Sequence, residues 1–162
     1  MTYLSKALLL AAAFGLAACG GANRFDNANA ANSANSAQDP RSPAYFQQAV
    51  GDRVLFEVDQ SNLTPTATAI LDGQAQWLMT NTDYNAVIEG HADEQGTREY
   101  NLALGARRAN SVLEYLESRG VASSRMRVVS YGKERPIEIC SEESCYTKNR
   151  RAVTVISAGP TS

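Results

Sequence analysis

A strand pattern followed by a helix pattern opens the folded part of the chain. Val54, Phe56 and Val58 occupy every second position, which is the period of a half-buried strand. Thr64 then stands where a helix N-cap is expected and Pro65 where the first helical residue is expected, and the helical repeat continues to about Thr80. The side chains predicted to face inward from this helix are Ala67, Ile70, Leu71, Ala75 and Leu78.

Three more strands and one long helix follow. An apolar strand covers residues 84–90, and a helical repeat begins near Thr97 and stops at Gly120, a residue that favours the position after a helix. Residues 126–131 and 150–156 carry two further strand patterns. The order β-α-β-α-β-β predicts an α/β fold, a two-layer sandwich with helices on one face of a mixed sheet. The first two strands are expected to form a right-handed parallel crossover.

The long helix separates into two stripes when successive residues are placed about 100° apart. One stripe is predicted to be core, and its members are Leu102, Ala106, Ala109, Leu113 and Leu116. Asn101, Leu104 and Arg108 form the second stripe, from which Arg107 points away. Asp93 lies in the loop before the helix, where the helix N-terminus favours an anion. A loop carboxylate and a helix guanidinium are therefore predicted to face one cleft.

Composition and charge exclude several functional classes. The 162 residues suffice for one domain with tails, and the formal net charge of -2 offers no basic surface to nucleic acid. We can place neither a glycine loop that would cradle phosphate nor a Ser-His-Asp order. No enzyme activity and no cofactor are predicted.

The N-terminus resembles a bacterial lipoprotein signal. Residues 1–18 are predicted to be a secretory signal peptide, with Lys6 as the positive end and an apolar run at residues 7–16. That run is too short to cross a bilayer core of about 30 Å as a stable helix. The sequence LAAC at residues 16–19 resembles a lipobox, which would make Cys19 the lipidated first residue of the mature protein. The alternative is an ordinary signal peptide with an incidental cysteine.

A polar segment separates the lipobox from the folded region. Asn, Ala, Ser and Gly dominate residues 19–43, which are predicted to be a disordered tether behind the lipidated cysteine. Its typical span would be roughly 25–30 Å. Several acyl chains on one residue would anchor it stably in a membrane. Residues 44–158 are predicted to form the single domain.

The remaining cysteines and the single histidine offer two kinds of site. Export makes a disulfide between Cys140 and Cys145 the expected state of this pair. A metal pair is the alternative, but His91 is the sole histidine, there is no second pair of cysteines, and no metal site is predicted. His91 stands beside Asp93 and Glu94, which could suggest a hydrolase. A histidine at a strand end is more often a structural hydrogen-bonding group.

The segment EGHADEQGTREYNLALGARRA, residues 89–109, resembles the signature of OmpA-like peptidoglycan-binding domains. The resemblance extends over residues 53–155 and includes FEVDQSNLTP, VSYGKERP and KNRRAV. It implies the OmpA-like α/β sandwich and a site for the free end of meso-diaminopimelate in the peptidoglycan stem peptide. That end carries an ammonium and a carboxylate on one carbon.

The resemblance also implies a role for each candidate residue. Arg108 would bind the ligand carboxylate by a forked contact and Asp93 the ammonium, and neither is expected to hold the fold. A plain Asp93–Arg108 salt bridge is the alternative. Asp59 matches another contact position. The remaining implied contacts are backbone from Val58, aliphatic packing from Leu104, and a bond to the loop or the ligand from Asn101.

The implied function is non-enzymatic. An outer-membrane lipoprotein facing the periplasm would tie the membrane to peptidoglycan and work with TolB and the Tol system during constriction at division. Gly20 supports the outer membrane, since lipoproteins retained in the inner membrane commonly carry Asp there. The alternatives are a wall-binding lipoprotein outside the Tol system, a flagellar-stator-type protein and a periplasmic wall hydrolase.

Overall fold

The computed structural model describes residues 36–159. The predicted signal peptide, Cys19 and most of the predicted tether lie outside the described residues. Residues 36–43, predicted to belong to the tether, instead contact the domain: the indole Nε1 of Trp77 donates to the carbonyl of Pro40 at 2.7 Å. Ser42 caps the helical turn Pro43–Tyr45, and a π-helical turn, Phe46–Gly51, continues it. Between residues 36 and 159, no helix has the length and apolarity needed to cross a membrane.

Four strands form the predicted mixed sheet: β1 (Arg53–Leu55), β2 (Tyr84–His91), β3 (Met126–Gly132) and β4 (Arg151–Ala158). Their order is β1-β4-β2-β3. β2 and β3 are parallel, whereas β4 pairs antiparallel with both β1 and β2. β1 and β2 therefore point the same way, as predicted, but β4 lies between them. β1 is shorter than expected, and Val58 lies beyond its end.

Two long helices cover one face of this sheet, as predicted: α1 (Pro65–Thr80) and α2 (Arg98–Ser118). The hydroxyls of Thr64 and Thr97 accept hydrogen bonds from Ala67 N and Tyr100 N, so each helix begins at a threonine cap. Gly120 follows α2 with φ +101°, a conformation that glycine adopts without a steric penalty. A short 3-10 turn, Ser123–Arg125, leads into β3.

A third helix, α3 (Glu143–Asn149), lies in a segment predicted to be a loop. Cys140 and Cys145 form a disulfide across its first turn, with Cα atoms 5.9 Å apart. Its seven residues are too few for a helix that is stable alone in water. Tertiary contacts and the cross-link therefore have to hold α3 in place.

The apolar core lies between α1, α2 and the covered face of the sheet. Its buried members include Phe46, Val54, Phe56, Leu71, Trp77, Leu78, Ile88, Val112 and Leu116. α2 approaches the end of β2 so closely that a Cβ at Gly90 would lie 1.8 Å from the carbonyl oxygen of Gly105. This contact places the first two turns of α2 directly against the loop that follows β2.

Candidate functional site

A pocket of about 250 Å³ opens where β2 ends and α2 begins. Its lining residues are Val58, Asp59, Asp93, Gln95, Gly96, Tyr100, Asn101 and Leu104. Five of the six predicted ligand-binding residues are among them, and the sixth, Arg108, is not. A larger groove of about 550 Å³ runs between β1, α1 and residues 147–150, but none of the predicted residues lines it.

Arg108 is fully buried behind this pocket. Its Nε donates to the carbonyl of Gln60 at 2.8 Å, Nη1 to that of His91 at 2.9 Å, and Nη2 to that of Glu57 at 3.1 Å. The guanidinium also lies 5.2 Å from the ring centroid of Phe56. Burial lowers the pKa of Arg108 to about 10, so the group stays charged at neutral pH. One side chain therefore joins the loop after β1 to the end of β2, so the expectation that Arg108 does not hold the fold is wrong.

The predicted core stripe of α2 is confirmed at Ala109 and Leu116 but wrong at its first member. Leu102, assigned to the core, is 49% exposed, whereas Arg108 is 0% exposed. The buried positions form a single stripe of Asn101, Leu104, Gly105, Arg108, Ala109, Val112 and Leu116. The prediction aligned the stripe on leucines and treated a charged residue as surface. A charged group can be buried when carbonyl groups accept hydrogen bonds from its N–H groups, as they do here.

Asp93 is 8% exposed, and its ion-pair partner is not Arg108. Arg150 Nη1 donates to Asp93 Oδ2 at 3.2 Å, and the backbone N–H of Gln95 donates to Oδ1 at 3.2 Å. The predicted alternative of an Asp93–Arg108 salt bridge is thus replaced by an Asp93–Arg150 pair. Arg150 lies in the motif KNRRAV, which was the one sequence signal for this ion pair. The prediction gave that arginine no specific role.

Asp59 and Tyr100 meet at the opposite wall. The Tyr100 hydroxyl donates to Asp59 Oδ1, and this bond raises the pKa of Tyr100. Asp59 has φ +59°, in the left-handed region that aspartate tolerates better than most residues. Tyr100 was missed by sequence reasoning, although it precedes Asn101 in the signature. Arg107 is exposed, as predicted, and its guanidinium lies 5.8 Å from the Tyr100 ring centroid.

Side chains from two other elements hold the loop after β2. Asn101 Nδ2 donates to the carbonyl of Gln95 at 2.7 Å, so its amide supports the loop. Lys133 Nζ donates to the carbonyls of Gly96 at 2.7 Å and Glu94 at 3.3 Å. We define residues 92–96 as the binding loop. Its conformation depends on these neighbours because it has no regular secondary structure.

His91 is buried beside the pocket and contributes its carbonyl rather than its ring. The ring nitrogens have no hydrogen-bond partner among residues 36–159, so the expected structural hydrogen bond comes from the main chain. Burial, with Arg151 and Arg135 nearby, lowers the pKa of His91 to about 3, so the ring is neutral at neutral pH. No group of three His, Cys, Asp or Glu side chains in the described part of the chain could hold a metal ion.

The pocket combines two carboxylates with a buried cation. Asp59 and Asp93 line the opening, where they could bind an ammonium group. Arg108 lies behind them with more N–H groups than its three carbonyl bonds use. Leu104 and Val58 add an apolar surface. This arrangement suits a small zwitterion with an aliphatic chain.

Known proteins with related sequences and structures share this framework. The model of the OmpA family matches residues 55–150. A peptidoglycan-associated lipoprotein of Rhizobium meliloti (strain 1021) is 56% identical over 117 residues, which cover 72% of this chain and 66% of that protein, just under two thirds of its length. Its counterpart in Pasteurella multocida (strain Pm70) is 40% identical over 154 residues, covering 94% of this chain and 98% of that one. The crystal structure of the peptidoglycan-associated lipoprotein from Burkholderia pseudomallei matches with a TM-score of 0.66 and 37% identity, over 74% of this chain and 98% of that chain.

Proposed function

Because the chain belongs to the OmpA family, we propose that its pocket binds peptidoglycan without breaking it. The observation that carries this proposal is the presence of Asp59 and Asp93 in the lining of one pocket, with Arg108 buried behind it. Relatives at 40–56% identity are named peptidoglycan-associated lipoproteins, which supports the same ligand.

The proposed ligand is the free end of meso-diaminopimelate in the stem peptide. Its ammonium binds the carboxylates of Asp93 and Asp59. Its carboxylate is attracted by the charge of Arg108, which lies buried behind the pocket lining. Its methylene chain packs on Leu104 and the exposed side of Val58. These roles depart from those implied by the family resemblance at two residues: Val58 offers its exposed side chain where a backbone contact was implied, and Arg108 acts through its charge rather than by a forked contact. For Asn101, the hydrogen bond to the carbonyl of Gln95 favours the loop over the ligand.

Incubation of the purified chain with intact sacculi tests this function. We expect the chain to sediment with sacculi and to be released by excess free meso-diaminopimelate, because the pocket recognises one end of that molecule. A wall hydrolase would instead release soluble fragments with time. Absence of co-sedimentation, or binding that free meso-diaminopimelate does not compete for, would contradict the proposed ligand.

The proposal includes a lipid anchor at Cys19, outside the described residues. Acyl chains on Cys19 would hold the chain in the outer membrane, and residues 20–35 would let the domain reach the wall below. We expect Cys19→Ser to move the protein from the membrane fraction to the soluble periplasm while its domain still binds sacculi. An unmodified Cys19 in the mass spectrum of the mature wild-type protein would contradict the anchor.

The proposed partners are TolB and the Tol system, with a role in envelope constriction at division. This part rests on the family resemblance alone. The alternative is a wall-binding lipoprotein that acts outside the Tol system. Co-purification of TolB with the membrane-anchored chain distinguishes these two roles.

A further inference from the structure

We propose that the disulfide loop, residues 140–145, is a positioning element of the binding pocket. It fixes the binding loop through contacts with Glu94 and, by way of Arg150, with Asp93. The proposal rests on the proposed function, since it concerns how tightly the same pocket binds its ligand. None of the residues of the disulfide loop lines the pocket, so any effect on the ligand has to pass through the binding loop.

The first contact is made to the side chain of Glu94. The hydroxyls of Ser141 and Tyr146 both donate to Glu94 Oε1, each at 3.1 Å. Ser141 lies inside the ring that the disulfide closes, and Tyr146 directly follows Cys145. Glu94 is the neighbour of Asp93, so two donors next to the cross-link hold the residue beside the proposed ammonium-binding carboxylate.

The second contact is made to Asp93 through Arg150. Glu143, inside the disulfide loop, accepts a hydrogen bond from Arg150 Nη2, and this bond holds the pKa of Glu143 below its usual range. Arg150 Nη1 donates to Asp93 Oδ2 at 3.2 Å. The guanidinium is only 3% exposed, so it has one orientation between the two carboxylates. The disulfide loop thus acts on two consecutive residues of the binding loop.

The cross-link is what makes these contacts effective. Ser141 and Glu143 are exposed, and the chain from residue 133 to residue 142 has no helix or strand. Exposed hydrogen bonds gain little after the entropy of ordering their side chains is subtracted. The disulfide bond removes part of that entropy in advance, because it restricts the segment that carries the donors. Without it, Glu94 and Asp93 would sample more orientations and the pocket would be less well formed.

The test compares wild type with the Cys140→Ser/Cys145→Ser variant by calorimetric titration with free meso-diaminopimelate. We expect the variant to bind about threefold to tenfold more weakly, the equivalent of one lost hydrogen bond. Dithiothreitol reduces the disulfide by supplying two electrons and two protons and is itself oxidised to a disulfide. Wild type reduced in this way should bind as weakly as the double serine variant. The serine variant should not respond to that reagent. Thermal melts at the same pH confirm that every sample is folded.

A mutant cycle separates positioning from general loosening of the fold. In a Glu94→Ala/Glu143→Ala background, both contacts are gone, so the two serine substitutions should change affinity by less than about twofold. Full additivity in the cycle, or a lowered melting temperature with unchanged affinity, would overturn the inference. If wild type itself failed to bind meso-diaminopimelate, the proposed function would fall, and the inference with it.

Discussion

Replacing Arg108 with alanine should lower the free energy of unfolding by about 3–5 kcal/mol and abolish ligand binding. The change removes a fully buried side chain and leaves the carbonyls of Gln60, His91 and Glu57 without their donor. A cavity and unsatisfied acceptors each destabilise the folded state. Chemical denaturation followed by circular dichroism measures the stability loss.

Arg107→Ala is the matched control. It removes the same charge from the adjacent residue, but that side chain is exposed and lies over the Tyr100 ring. Its unfolding free energy should stay within about 0.5 kcal/mol of wild type. Arg108→Lys should lower the free energy of unfolding nearly as much as Arg108→Ala does, because one ammonium group cannot donate to three separate carbonyls as the guanidinium does. If Arg108→Ala unfolded at the wild-type denaturant concentration, the guanidinium would not be a structural tie.

The helix boundaries were predictable because local chemistry sets them. Thr64 and Thr97 cap the two long helices through bonds to residues three positions ahead. Pro65 occupies the first turn of α1, and Gly120 takes the left-handed conformation after α2. Each of these signals depends on a few consecutive residues, so the sequence alone contains all the information that they need.

The rotation of α2 was not predictable from the same kind of signal. Seen alone, Leu102 is a better core residue than Arg108. Which of the two side chains is buried depends on three carbonyl groups from other parts of the chain. They accept hydrogen bonds from Arg108 and so allow it to be buried. Such partners lie up to 51 positions away in sequence, beyond any helical periodicity.

Long-range pairing accounts for the other differences. β4 lies between β1 and β2 in the sheet, and the residue pattern within a strand does not indicate which strands it will pair with. The Asp93–Arg150 pair joins residues 57 positions apart. Residues 36–43 pack on the domain because the buried Trp77 needs an acceptor for its indole N–H, and Pro40 provides it. Their composition gave no sign of that contact.

Arg108 and Arg150, both buried, stabilise the pocket in different ways. Arg108 binds backbone carbonyls, so its loss would disturb the chain itself. Arg150 binds the carboxylates of Asp93 and Glu143 together with the carbonyl of Phe56, so it orients side chains as well as backbone. A substitution at Asp93 is therefore expected to affect binding somewhat more than folding.

Asp93→Asn should weaken binding of sacculi and of free meso-diaminopimelate about tenfold to a hundredfold. A charge-assisted bond to the ligand ammonium contributes roughly 1.5–3 kcal/mol, and the amide removes the charge while keeping the shape. The asparagine oxygen can still accept from the backbone N–H of Gln95 or from Arg150, so the unfolding free energy should fall by only about 1–2 kcal/mol. Titration calorimetry and chemical denaturation measure the two effects on the same samples.

Asp72→Asn is the control for net charge. It removes one carboxylate from the exposed surface of α1, where Asp72 pairs with Arg119, and none of the pocket residues is changed. This variant should bind like wild type, so that a loss seen only at Asp93 assigns the effect to the pocket. If Asp93→Asn bound at full strength while Asp59→Asn did not, the ammonium would lie against Tyr100 and Asp59 instead. Asp93 would then serve only to hold Arg150 and the binding loop.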